Sequence, residues 1–251
     1  MAEIKLESVS VEFFDPRFGL SGLRKSLMSP LVKRNRSTQP DPKQKFKALD
    51  NVSFEITAGE SVGIMGGNGS GKTTLLRSLN GVYAPTSGLI HVRGTVASLM
   101  ELSLGIDPDS TGLENVVLRG ALLGWSRKEI LAHLEEIIDF SGLEKFMDFP
   151  VRTFSSGMQL RLAFAISTLR ARDILLMDEW IAVGDEQFRK KAVSRLQELI
   201  EASQILVIAS HSKGMLENLC SRGIVLEGGI VSFDGPIKDA TRLYFGEQGQ
   251  S

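Results

Sequence analysis

The segment GGNGSGKTT carries the residue types whose spacing most directly indicates chemistry. It matches the pattern G-x-x-x-x-G-K-[ST], starting at Gly66 and ending with Lys72 and Thr73. Glycines let successive backbone N–H groups turn inward around phosphate oxygens, which bulky side chains would block. Lys72 is expected to bridge the β- and γ-phosphates of a nucleotide, and Thr73 to ligate Mg²⁺. The predicted phosphate-binding residues are Gly66, Gly67, Asn68, Gly69, Ser70, Gly71, Lys72, Thr73 and Thr74.

Three further polar residues close two later apolar segments. ILLMDE finishes with Asp178 and Glu179, and SQILVIASH finishes with His211. A carboxylate at Asp178 can hold the Mg²⁺ shell from opposite the loop, and Glu179 can orient or deprotonate an attacking water. Neighbouring parallel strands deliver their catalytic groups at one edge, so His211 is predicted to contact the γ-phosphate. The alternative is that these polar residues simply close buried strands, but the phosphate loop upstream favours the functional interpretation.

The turn FSSGM, residues 154–158, precedes a helix-like apolar run. Ser155, Ser156 and Gly157 therefore stand where unpaired backbone N–H groups and a hydroxyl can bind an anion. The plainer interpretation is that a serine only caps the helix and that the following apolar residues only form core. A second phosphate site within the same chain would be redundant. The turn is therefore predicted to close over the nucleotide of another copy of the chain.

Composition limits the classes of function. The chain has 251 residues, of which 42% are hydrophobic and 24% charged, as in an ordinary globular protein. Its net charge of −1 gives no reason to expect nucleic acid as a partner. Residues 17–47 hold nine Lys or Arg against one Asp, so a basic loop insertion is predicted over 15–47, either near anionic headgroups or simply solvated. No apolar run approaches the ~18 residues that cross a bilayer, so any membrane span is expected in another polypeptide.

Alternating strand and helix patterns surround these motifs. Strands are predicted at 4–14, 51–57, 60–65, 173–178 and 204–210, and helices at 113–123, 127–140, 157–170, 186–201 and 212–220. A terminal hairpin is predicted to turn at Gly228 and Gly229. Strand–helix alternation interrupted by a helix-rich block, about 101–170, predicts an α/β nucleotide-binding core with a helical insertion.

Together, GGNGSGKTT, FSSGM followed by QLRLAFA, and ILLMDE resemble the nucleotide-binding domain of an ABC transporter over essentially the whole chain. The resemblance implies one ABC ATPase domain, 1–251, of α/β class: a P-loop NTPase core (RecA-like), an antiparallel β subdomain and a helical ABC subdomain. Two copies would sandwich two ATP and their Mg²⁺, with Ser155 and Gly157 binding the γ-phosphate across the dimer. Asp178 would serve Mg²⁺, Glu179 would be the general base, and His211 would sense the γ-phosphate. The resemblance also implies signature roles for Ser156 and Met158 and a place in the dimer-facing loop for Asp185.

The chain departs from the family pattern at several positions. The common signature is L-S-G-G-Q, so Ser156 replaces the first glycine and Met158 replaces the glutamine. Glu101 stands where the family usually has a Gln, and it could still contact Mg²⁺ or the attacking water. The aromatic side chain that stacks on adenine is predicted to be Phe14, at the end of the first strand. The alternatives for that role are Phe13 and Phe46.

The segments that differ from the common pattern resemble the ATP-binding subunits of polysaccharide exporters, which move O-antigen, capsule or teichoic-acid chains. The chain would be their short form, without a C-terminal carbohydrate-binding domain. The resemblance implies a homodimer bound peripherally at the cytoplasmic face of the inner membrane. It would drive export of a lipid-linked polysaccharide, contacted only indirectly, through a separate polytopic permease. The alternatives are an exporter of lipid or drug, a soluble non-transport ABC ATPase, and a binding module that uses ATP only as a switch.

Overall fold

The computed structural model describes residues 1–14, 45–100, 102, 104–179 and 185–248. The strands in these ranges are β1 (Glu3–Phe14), β2 (Lys45–Thr57), β3 (Ser61–Met65), β4 (Ser87–Arg93), β5 (Val96–Ser98), β6 (Ile174–Asp178), β7 (Ile205–Ala209), β8 (Arg222–Glu227) and β9 (Ile230–Pro236). The α-helices are α1 (Lys72–Leu79), α2 (Gly112–Leu122), α3 (Arg127–Ala132), α4 (Leu134–Ser141), α5 (Ser156–Ser167), α6 (Glu186–Ala202), α7 (Lys213–Leu219) and α8 (Ile237–Gln248). Short 3-10 turns lie at Glu144–Phe146 and Val151–Thr153.

The larger sheet has the strand order β5-β6-β7-β3-β8-β9, and all its pairs are parallel except β8 with β9. Every residue of β7 is buried, as expected for a parallel strand that is covered on both faces. In register, Met177 pairs with Ile208 and Ile64 with Ala209. The carboxyl ends of β3, β6 and β7 therefore reach the same edge of the sheet, where the segments after these strands meet.

A smaller antiparallel sheet, ordered β2-β1-β4, covers one side of the larger one. Alternation puts Ile4 and Leu6 of β1 inside, as a half-buried strand requires. Their hydrophobic cluster also contains Leu76 from α1 and Val207 from β7. Helix α1 is thus packed between the two sheets, so the segment that precedes it is held by both.

Helices α2 to α5 form a block with its own hydrophobic cluster, which includes Val116, Ile130 and Ile137. Thr111 and Ser126 are the N-cap residues of α2 and α3, and each forms a complete capping box. Helix α5 takes part in two cores: residues 162, 165 and 166 pack in the helical block, and residues 163 and 164 pack against the larger sheet. The start of α5 is therefore positioned by both parts of the fold.

The α/β class predicted from the sequence is confirmed, and most element boundaries differ by a residue or two. The predicted helix 127–140 is instead two helices, α3 and α4, separated at His133, and the predicted strand 51–57 begins earlier, at Lys45. Helix α8 was not predicted. Of the predicted basic loop, residues 45–47 begin strand β2, and residues 15–44 lie outside the described residues, as does Glu101. Within the described ranges, no helix combines the length and apolarity that crossing a bilayer requires.

Candidate functional site

The glycine-rich segment forms a tight loop between β3 and α1. Gly66 has φ +150°, and Gly71, the N-cap residue of α1, has φ +104°. A Cβ on Gly66 would lie 2.3 Å from the Leu226 carbonyl oxygen, and one on Gly71 would lie 2.5 Å from the Ala48 carbonyl oxygen. Both positions therefore combine a backbone conformation that favours glycine with a space that admits no side chain. This local geometry leaves the main chain of the loop as the lining of the site.

A cavity of about 500 Å³ opens over this loop. It brings together most of the phosphate loop with the residues just after β6 and β7, as the shared sheet edge predicts. The lining residues are Phe46, Lys47, Ala48, Asn68, Gly69, Ser70, Gly71, Lys72, Thr73, Thr74, Asp178, Glu179 and His211. Of the predicted phosphate-binding residues, Gly66 and Gly67 lie at the start of the loop, outside this lining.

Lys72 projects back over the phosphate loop. Its Nζ donates to the carbonyl oxygens of Gly66 at 2.7 Å and Gly67 at 3.1 Å. Burial lowers the pKa of the Lys72 ammonium below its ordinary value, and the carboxylates of Asp178 and Glu179 oppose that shift. The loop thus holds a partly desolvated cation close to its own main chain, where an anion would be strongly attracted.

Thr73 and Asp178 supply paired oxygen ligands beside the loop. The Thr73 hydroxyl donates to Asp178 Oδ2 at 2.9 Å, across 105 residues of sequence. Hydroxyl and carboxylate oxygens are the hard ligands that Mg²⁺ takes, usually together with substrate phosphates and water. The described residues contain no cluster of three or more His, Cys, Asp or Glu suited to a metal. A pair of oxygen ligands leaves positions for phosphate oxygens and water, so the donor set fits a magnesium ion held jointly with a phosphate.

Glu179 and His211 face each other at the mouth of the cavity. Glu179 Oε1 lies 3.9 Å from His211 Nε2, and both side chains are exposed to water. The Glu179 backbone has φ +65°, while its N–H donates to the Ala209 carbonyl oxygen at 2.8 Å. A non-glycine residue in this conformation costs about 1–2 kcal/mol, and such strain clusters at functional sites. With this backbone conformation, the Glu179 carboxylate lies beside His211, which follows the end of the neighbouring strand β7.

The signature turn lines a second cavity, of about 450 Å³. Ser155 is the N-cap residue of α5, and its Oγ accepts a hydrogen bond from the Met158 N–H at 3.2 Å. The lining residues are Ser155, Ser156, Gly157, Met158, Leu160, Arg161 and Asp185. None of them lines the phosphate-loop cavity, so within one chain the structure does not bring the two predicted anion sites together.

Asp185 and Arg161 join the signature turn to helix α6. The Asp185 carboxylate accepts a hydrogen bond from the Phe188 N–H at 2.9 Å and so caps the N-terminus of α6. Its other oxygen lies 4.0 Å from Arg161 Nη1, and the Arg161 guanidinium carbon lies 6.0 Å from the Phe188 ring centroid. Arg161 was not among the site residues predicted from the sequence. In the sequence, the feature that could have indicated Arg161 is that it is a lone cation in an apolar helical run, one turn after the signature.

Of the three aromatic residues considered for adenine stacking, one lines the phosphate-loop cavity. Phe46 lines the phosphate-loop cavity, whereas Phe14 is 61% exposed outside it, with Lys45 Nζ 5.7 Å from its ring centroid. The two rings separate because Phe13 pairs with Phe46 across the β1–β2 ladder. Phe14 comes one residue later and points to the opposite face. Phe13 itself packs on Phe46, with ring centroids 5.7 Å apart, and serves as support.

Comparison with known proteins gives the family. The model of the ABC transporter family matches residues 49–182. The chain is 42% identical over 197 residues to the O-antigen export system ATP-binding protein RfbB of Myxococcus xanthus, covering 78% of this chain and 45% of that protein. It is 45% identical over 184 residues to the O-antigen export system ATP-binding protein RfbE of Yersinia enterocolitica, covering 73% of this chain and 77% of that protein. The chain thus spans less than half of RfbB but about three quarters of RfbE.

A solved structure agrees with the fold. The ATP-binding cassette MJ0796, in a dimeric post-hydrolysis state bound to ADP and Pi, superposes with a TM-score of 0.65 at 23% identity. The match covers 93% of this chain and 98% of that one. At this identity the likeness concerns the fold, and the family assignment follows from the sequence matches. The chain belongs to the ABC transporter family.

Proposed function

We propose that this chain is the ATP-hydrolysing subunit of an exporter that moves a polysaccharide through a separate membrane permease. The observation that carries the proposal is the single cavity that combines a phosphate loop, a threonine–carboxylate pair and an exposed carboxylate beside a histidine. Phosphoryl transfer needs little covalent chemistry from the protein, so positioning and charge stabilisation by such groups account for catalysis.

The phosphate loop would hold the nucleotide through its main-chain N–H groups and Lys72. The ammonium now bonded to the carbonyl oxygens of Gly66 and Gly67 would turn to the β- and γ-phosphate oxygens, exchanging neutral acceptors for charged ones. Thr73 and Asp178 would hold Mg²⁺, which when bound neutralises developing negative charge on the phosphates. Phe46 would stack on the adenine ring from the end of the cavity formed by β2.

Glu179 is the proposed general base. Its exposed carboxylate stands where it can accept a proton from a water aimed at the γ-phosphate. His211, 3.9 Å away, would contact the γ-phosphate and hold the carboxylate in that direction. The proposed role of Glu101 in contacting Mg²⁺ or the water rests on its sequence position alone.

A homodimer would complete each site. The signature residues Ser155, Ser156, Gly157 and Met158, with Asp185, line a cavity apart from the phosphate loop of their own chain. MJ0796 is dimeric and bound to ADP and Pi, which supports a dimer. In the proposed dimer this turn lies over the nucleotide of the second copy, so that two copies enclose two MgATP. Within one ATPase domain, the helical block of about 101–170 is the proposed carrier of this turn.

The proposed substrate is a polysaccharide, with O-antigen first because both RfbB and RfbE are named for O-antigen export. The chain would lie peripherally at the cytoplasmic face of the inner membrane and would touch the polysaccharide only through its partner. Three exposed leucines near α2 support a permease contact: Leu104, Leu118 and Leu122 are 68%, 44% and 72% exposed. Gly105, which follows Leu104, packs against the Leu122 side chain, and Leu118 lies one helical turn before Leu122, so the three leucines belong to one region of the surface. Three other apolar residues of α2, Leu113, Val116 and Val117, pack in the core of the helical block instead.

Purification of the tagged Glu179→Gln protein from its own detergent-solubilised membranes tests the proposal. A stoichiometric polytopic membrane protein is expected to co-purify, and deletion of the pair is expected to remove a surface glycan. Leu118→Asp with Leu122→Asp should abolish the co-purification while leaving ATP binding intact. Recovery of soluble or ribosomal proteins alone would reject the export function. A lost lipid or drug efflux with intact surface glycans would reject the polysaccharide.

A further inference from the structure

We propose that Gly229 is a positioning residue for nucleotide binding, acting as a main-chain clamp between the phosphate loop and strand β2. The inference rests on the proposed function of the phosphate-loop cavity. Gly229 lies in the turn of the β8–β9 hairpin, where the sequence predicts a turn but no role in nucleotide binding, and it lies outside the cavity lining. Its two peptide groups bond in different directions, to two elements that line the cavity.

The clamp consists of two hydrogen bonds. The Gly229 N–H donates to the Ser70 carbonyl oxygen at 3.0 Å, within the phosphate loop. The Gly229 carbonyl oxygen accepts from the Asp50 N–H at 2.8 Å, in β2. The Ser70 hydroxyl is buried and makes no hydrogen bond to any described residue. The contact between hairpin and loop therefore runs through the main chain.

Steric contacts at Gly229 show that only glycine fits the clamp. Its φ is +87°, and a Cβ there would lie 2.8 Å from the Ala48 carbonyl oxygen and 3.2 Å from Leu49 Cα. Those neighbours are backbone atoms, so they yield only if β2 moves as a whole. The same strand carries Phe46 and Ala48 into the cavity, and Gly229 Cα lies 3.6 Å from where a Gly71 Cβ would be. A side chain at 229 would therefore push the adenine side of the cavity away from its phosphate side.

The hairpin also supports the start of the phosphate loop. Strand β8 pairs with β3 up to Met65 opposite Val225, and the Leu226 carbonyl oxygen closes the space beside Gly66. The loop is thus held at its first glycine by Leu226 and near its end by Gly229. Since effective binding needs all N–H groups aimed at one phosphate cluster, a shift at either end of the loop should weaken nucleotide binding.

The test compares Gly229→Ala with two matched controls. Gly228→Ala changes the same turn at φ +56°, and Gly124→Ala has a similar φ of +81° in the helical block; neither has any atom within 4 Å of the added Cβ. Isothermal titration with MgATP measures Kd, and thermal unfolding measures the strain that all three variants share. Gly229→Ala is expected to raise Kd at least fivefold above both controls. A smaller difference, with the three variants similarly stable, overturns the assignment.

Amide hydrogen exchange on the unaltered chain covers the case in which Gly229→Ala does not fold. MgATP is expected to slow exchange at the Gly229 and Asp50 amides together with those of residues 66–74. Protection of the loop amides without any change at Gly229 and Asp50 overturns the clamp. The proposed function fails separately, because then the unaltered chain itself would show no MgATP binding.

Discussion

The Glu179 backbone lies in the left-handed region, with φ at +65°, a conformation that costs free energy for any residue with a Cβ. Left-handed backbone costs such a residue about 1–2 kcal/mol. Glycine avoids that cost but loses about 0.5–1 kcal/mol more chain entropy on folding. The difference between the midpoints of these two ranges predicts that Glu179→Gly is about 0.75 kcal/mol more stable to unfolding than Glu179→Gln. Both variants lack the carboxylate, so the comparison isolates the strain, and both should lose ATP hydrolysis.

Thermal unfolding followed by circular dichroism, without nucleotide, measures this difference. For a chain of 150–250 residues a change of 1 kcal/mol moves Tm by about 2–4 °C, so Glu179→Gly should melt roughly 2 °C above Glu179→Gln. Ser8→Gly is the matched control, because Ser8 has φ +50° at an exposed position outside the cavity. It should gain stability too, and retain hydrolysis. A gain for Ser8→Gly with none for Glu179→Gly would refute the assignment of strain to the proposed base.

Two further predictions concern the cavity and the helical block. Phe46→Ala should raise the Kd for ATP about tenfold, since stacking on one base is worth about 1–3 kcal/mol, while Phe14→Ala should change it less than about twofold in the same titration. Hydrogen bonds from Ser126 and from Arg170 lower the pKa of Glu129 from 4.5 to about 2. The Glu129 carboxylate therefore stabilises the fold above pH 4.5, and this stabilisation is lost as pH falls toward 2. In chemical denaturation, Glu129→Gln should be less stable than the unaltered chain at pH 7 and equally stable near pH 2. A stability gap that persists at pH 2 would contradict that origin.

The convergence of the site residues could be predicted from the sequence because it depends on local signals. Apolar runs of about four to six residues mark parallel strands, and the residues at the carboxyl ends of such strands lie along a common edge of the sheet. Lys72, Asp178 and His211 therefore come together without any knowledge of side-chain contacts. The helices of the middle block could be predicted for a similar reason, because helical periodicity is also a local signal.

Features that depend on contacts between distant segments could not be predicted in this way. Choosing Phe46 over Phe14 requires the β1–β2 register, and a shift of one residue turns a side chain to the other face. The clamp at Gly229 is made by main-chain atoms, which leave no pattern of side-chain types. The role of Glu179 could be predicted from the sequence, but its strained backbone, with φ at +65°, could not. Arg161 gains its meaning only from Asp185, which is distant in sequence but close in the fold.

The nucleotide-dependent dimer is tested by the molar mass of purified Glu179→Gln protein, measured by light scattering with and without saturating MgATP. If two copies enclose two nucleotides and await hydrolysis by Glu179, the mass should double from 27.4 kDa when MgATP is added. Ser155→Arg in the same background should bind MgATP through its own phosphate loop yet stay monomeric, because its signature turn would no longer admit the partner's γ-phosphate. A mass that stays at 27.4 kDa for Glu179→Gln while MgATP is bound would contradict the nucleotide-enclosing dimer.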